Sequence, residues 1–129
     1  MTDTLVGGWW EGEADRNLAM STWNRLDNAL ARPVQRQLFD TDELLREPLK
    51  TLRKVALALT MGDPQVLEQT VLSLNMTDMR LILAVKHKYT LGQLATLLHA
   101  SRAEVLDRSH RLVTELAHTV LYDRLEGLD

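Results

Sequence analysis

Cysteine is absent from this chain of 129 residues, which excludes disulfides and thiolate metal sites and fits a cytoplasmic setting. Aromatic residues are scarce, with one Phe, two Tyr and three Trp, so leucine and valine must build the core. No apolar run nears the roughly 20 residues that span a bilayer, so no membrane association is expected. The opening stretch MTDTLVGGWWEGEADR lacks a basic region ahead of an apolar one, so it does not read as a secretory signal. Catalytic signatures are missing too: there is no Gly-rich phosphate loop, nucleophile elbow or Ser/His/Asp arrangement. His87, His99, His110 and His118 have no second His or Cys at the i,i+4 spacing of a helical zinc site. Neither an enzyme nor a metal or cofactor protein is expected.

Charge of one sign is also not in excess, since the net charge is −3. Its distribution is uneven. Residues 1–46 carry five basic and eight acidic side chains, and residues 47–76 three of each. Residues 77–111 hold Arg80, Lys86, Lys88, Arg102, Arg108 and Arg111 against Asp78, Glu104 and Asp107, while 112–129 are acidic again. One basic segment in an otherwise neutral or acidic chain is a modest electrostatic footprint for nucleic acid.

What the chain does have is helical spacing. Residues 1–12, with three glycines, form an expected irregular arm. Residues 13–31 place Leu18, Trp23, Leu26 and Leu30 near one face, and Arg32-Pro33 ends or bends that helix. Asp40 and Glu43 offer a capping box, and Asp40/Asp42/Glu43 suit a helix start electrostatically. Pro48 belongs in a first turn or at a kink. A helix through Leu49, Leu52, Val55, Ala56 and Leu59 should stop near Gly62, a good residue just past a helix end. Asp63-Pro64 restarts the chain as N-cap and N1, giving a helix with Val66, Leu67, Val71 and Leu74. Asn75 breaks it, and Thr77 is expected to cap a helix through Met79, Ile82, Leu83 and Val85. The last helix keeps Val105, Leu112, Val113, Leu116, Val120 and Leu121 on one side, to about Leu125. With no strand-like alternation, the expectation is all-α: six to seven helices in one domain spanning 13–129.

The densest pattern lies in 89–116, YTLGQLATLLHASRAEVLDRSHRLVTEL. Thr90 is followed three residues on by Gln93, and Ser101 by Glu104, so two capping boxes open two short helices. Leu94, Leu98 and Val105 fall where those helices must touch, with small Ala95 at the closest approach. His99-Ala100 makes the turn, and histidine tolerates positive φ better than most non-glycine residues. This is helix-turn-helix spacing, and residues 77–116 form the corresponding region.

Together with the preceding helix, this order of parts resembles region 4 of bacterial sigma factors. It is also similar to phage late-gene regulators, including Q-type antiterminators and ArpU-like activators, over residues 74–116. The resemblance implies a second helix that enters the DNA major groove through Ser101, Arg102, Ala103, Leu106, Asp107 and His110. Arg108 and Arg111 would lie nearer the phosphates. Lys86, Lys88 and Arg102 could fix register on the backbone. It further implies double-stranded DNA as ligand and RNA polymerase or its sigma factor as partner. Leu106 and Asp107 depart from a face built for a polyanion, although leucine can touch a thymine methyl and aspartate can accept from cytosine.

A second class of function stays open: a helical interaction module, adaptor or inhibitor of a transcription factor, that binds no DNA. The acidic flanks suit it. So does the pair Trp9-Trp10, which beside Gly7-Gly8 could hook a partner or fold back on the core. Val113, Leu116, Val120 and Leu121 could pair two copies in a homodimer, or belong to the core of one.

Overall fold

A computed structural model describes residues 13–31 and 47–117. The described residues hold six α-helices and no strand. In chain order they are α1 (Glu13–Leu30), α2 (Leu49–Met61), α3 (Pro64–Leu72), α4 (Met76–Lys86), α5 (Leu91–Leu98) and α6 (Arg102–Leu116). The fold is all-α. The expected arm with Trp9 and Trp10, Arg32-Pro33, the Asp40/Glu43 box, His118, Val120 and Leu121 lie outside the described residues.

The organising element is α4. Met79, Leu81, Ile82, Leu83, Ala84 and Val85 are each at most 2% exposed, so this helix is buried all the way round rather than along one stripe. A helix that is apolar on every side belongs in the middle of a bundle. Accordingly α4 touches α1 on one flank, α2 on another, and α5 and α6 beyond. α2 also lies along α6, and α1 along α3. One buried cluster runs through all six helices. Each large apolar side chain fully enclosed in it contributes about 1.5–3 kcal/mol.

Local chemistry sets most of the helix starts. Asp63 accepts the amide of Gln65 at 2.8 Å with Pro64 at the first helical position, as expected. α2 buries Leu49, Leu52, Val55, Ala56 and Leu59, the predicted face.

Three expectations need correction. Leu18 is 49% exposed, and Ala19 takes its place beside Trp23 and Leu30 in the core. The steps of four, three and four residues through Leu26 keep 19, 23, 26 and 30 in register, whereas Leu18 lies five residues from Trp23 and rotates outward. The cap of α4 is Asn75, whose side chain accepts the amide of Asp78 at 2.8 Å. Thr77 lies inside the helix, because asparagine two residues earlier caps at least as well as threonine. Gly62 does end α2, but with φ −100°. It uses none of glycine's left-handed freedom.

Candidate nucleic-acid interface

The α5–α6 unit is built from its caps. Thr90 accepts the Gln93 amide at 3.2 Å and donates its own amide to Gln93 Oε1 at 2.9 Å. Ser101 and Glu104 repeat the reciprocal pair at 3.1 and 3.0 Å. Between the two helices His99 adopts φ 53°, ψ 45°, the left-handed conformation anticipated for this turn. The amide of Ala100 donates to Ala95 O at 3.0 Å and that of His99 to Thr96 O at 3.3 Å, which satisfies two carbonyls at the end of α5. The same pair of backbone hydrogen bonds closes α4. There Lys88 has φ 66°, its amide donates to Val85 O, and that of Tyr89 donates to Ala84 O. No sequence signal had marked Lys88 as left-handed.

Inside the unit, Leu94 and Val105 are fully buried, and Ala95, Leu98 and Ala100 pack against them as part of the same core. Gly92 supplies the close approach: a Cβ there would stand 3.1 Å from Arg102 Nη2. The Arg102 guanidinium thus reaches back over the first turn of α5.

The outer face of α6 exposes Ser101, Arg102, Ala103, Glu104, Asp107, His110 and Arg111, with Arg108 half-exposed. Leu106, the apolar departure from a DNA face, is half-buried and packs against the core, which accounts for its chemistry. Asp107 stays outward and lines a shallow open depression with Glu104, Arg108 and Arg111. A hydrogen bond from the Ser101 backbone amide holds the Glu104 carboxyl below the ordinary carboxylate range.

Two acidic residues on other helices reshape the expected basic patch. Asp78, 6% exposed at the head of α4, accepts from Arg111 Nη2 at 3.3 and 3.5 Å and stands 3.8 Å from Arg108 Nη1. Burial pushes its carboxyl above the usual value, against the pull of Arg111 and Arg108 and with help from Glu115. Asp27 on α1 takes Lys86 Nζ at 3.1 Å and His87 Nε2 at 2.6 Å. Burial works to raise its carboxyl, but the bonds and charges of His87 and Lys86 outweigh that and leave it below the usual value. Tyr89 adds a third tie by donating its hydroxyl to Leu30 O at 3.2 Å.

Lys86 therefore faces α1 and is set apart from the α6 surface, while Lys88 is exposed at the α4–α5 corner. Asp107, His110 and Arg111 share the outward side of α6, Ser101 sits at its cap, Arg102 turns toward Gly92 on α5, Arg108 toward Asp78 on α4, and Leu106 leans into the core. Leu116, one of the residues considered for pairing two copies, is buried within this chain. Asp78 and Asp27 were not anticipated, because their partners lie 33 and about 60 residues away. Among the described residues no group of three or more His, Cys, Asp or Glu gathers as a metal site. None of the described helices is long and apolar enough to cross a membrane. Comparison of the chain with protein-family models, with curated proteins and with solved structures returns no match in any of the three.

Proposed function

We propose that this chain is a cytoplasmic, non-catalytic transcription regulator that binds double-stranded DNA through α5–α6. Its resemblance to sigma region 4 and to phage late-gene regulators makes activation or antitermination, with RNA polymerase or its sigma factor as partner, the form this takes. The observation that carries the reading is the double-capped unit, whose second helix exposes Ser101 at its cap, Arg102, Ala103, Glu104 and Asp107 in its leading half, and His110 just beyond. A recognition helix reads bases with its N-terminal residues. In this reading Arg102 and His110 meet base edges or phosphate, Lys88 meets the backbone from the α4–α5 corner, and Arg108 and Arg111 flank the groove. Lys86 leaves the contact set because Asp27 engages it.

Gel-shift titration against genomic fragments at low and high salt tests this. Binding should weaken steeply as salt rises, and Arg102→Ala with Arg108→Ala should reduce affinity at least tenfold. Failure of the folded chain to shift any fragment sinks the DNA reading.

A second reading is a helical interaction module that binds a transcription factor and no DNA. It is favoured by the charge balance of α6, where Arg102, Arg108 and Arg111 are matched by Glu104, Asp107 and Glu115. A stoichiometric protein partner retained after nuclease treatment, with no DNA shift, supports that reading instead.

A further inference from the structure

We propose that Asp78 is a positioning residue for the candidate interface: it gathers the guanidiniums of Arg111 and Arg108 on one flank of α6 and so fixes where a phosphodiester backbone is held. This rests on the DNA-binding reading above and assigns a role within that site.

A carboxylate enclosed to 6% exposure is a costly core residue, and an apolar side chain of similar size is often as stable or more so. The burial that penalises its charge is only partly offset by two arginines that arrive from another helix, three residues apart on α6. Both stay about half in solvent: the side chains of Arg111 and Arg108 are 51% and 40% exposed, against 9% for Asp78. Arg111 meets the carboxylate through Nη2 alone, at 3.3 and 3.5 Å, and Arg108 Nη1 stands 3.8 Å from it. Arginine carries five donors in a planar fork, so a guanidinium held at one nitrogen keeps donors that Asp78 does not take for a second anion. Two such forks side by side suit a phosphate, which arginine recognises through parallel N–H···O bonds. The nearby negative charge does repel DNA. At about 8 Å and the effective dielectric of about 20 that suits a group near a protein surface, that repulsion is comparable to the cost of ordering two long side chains at the moment of binding.

The two effects have opposite signs, which makes the test decisive. The full chain and its variants are titrated against a mixed-sequence DNA duplex over a range of salt, with far-UV circular dichroism to confirm folding. Asp78→Asn removes an anion beside a polyanion, so charge alone predicts tighter binding. Positioning predicts binding about fivefold to tenfold weaker, with a salt slope reduced by about one unit for a lost phosphate contact. Arg111→Ala should show the same loss, and Asp78→Asn combined with Arg111→Ala should be no worse than Arg111→Ala alone. If Asp78→Asn does not fold, Asp78→Glu decides. It keeps the charge and displaces the carboxylate by one methylene, so weaker binding with a reduced slope supports the role, and unchanged binding overturns it. Wild-type-like or tighter binding by folded Asp78→Asn, or losses that multiply in the double variant, also overturns it. A wild-type chain that binds no duplex defeats the DNA reading itself and Asp78's role with it. Wild-type binding indifferent to Asp78 removes only the latter.

Discussion

Ser109 occupies the one polar position in the inner stripe of α6. Val105, Ser109, Leu112 and Leu116 are all buried, at successive steps of four, three and four residues. Its hydroxyl has no hydrogen-bond partner, and an unsatisfied buried hydroxyl costs about 1–3 kcal/mol. Alanine removes that cost and forms helix better, although it leaves a small void. Ser109→Ala should therefore raise stability by about 1 kcal/mol, read as a higher denaturant midpoint at unchanged slope. Position 109 is in register with Val105 and Leu112, but a serine carries no apolar signal and was not among the expected core residues. A related contrast separates the two left-handed residues. His99 was legible because the residue type tolerates that conformation and stands between two capping boxes. Lys88 was not, because its φ follows from the hydrogen bonds that close α4 and from nothing in lysine itself.

Among the elements, the join between α1 and the end of α4 depends on pH. Asp27, Lys86, His87 and the Tyr89–Leu30 bond fasten α1 to the α4–α5 corner. The native Asp27 carboxyl lies below its ordinary value, so the native state binds fewer protons there than the unfolded chain. Its contribution is present in full above pH about 4 and is lost as pH falls through the native value. Asp27→Asn should lower the melting temperature at neutral pH, and the gap to wild type should narrow in acid. Asp78 runs the other way. With its native carboxyl raised, the folded chain takes up a proton first and gains stability as pH falls toward the ordinary value. Thermal melts of both Asn variants across the acid range separate the two. The caps at Asp63, Thr90 and Ser101 were readable from sequence because each closes within three residues, whereas Asn75 was passed over for Thr77. The Asp27–Lys86 bond joins residues 59 apart, and no local pattern encodes which of eighteen acidic side chains finds which base.

For the whole molecule, the basic segment of the sequence is less basic in three dimensions. Two of its arginines share Asp78 and one of its lysines is taken by Asp27, so the surface around α6 presents mixed charge. Salt dependence of any DNA complex should accordingly reflect a few phosphates rather than many. The helical class and most helix faces followed from periodicity. The layering did not, because α4 has almost no polar side to distinguish inner from outer. That same enclosure has a consequence for hydrogen exchange. The amide protons of Met79 to Val85 are packed among four other helices and reach solvent only when the molecule opens globally. Their exchange rates thus measure the free energy of unfolding of the entire fold. The amides of His99 and Ala100, held by a single turn at the surface, open locally and should exchange orders of magnitude sooner. In a complex with DNA on α6, slowing at His99 and Ala100 alone marks local protection, and slowing across Met79 to Val85 marks stabilisation of the whole.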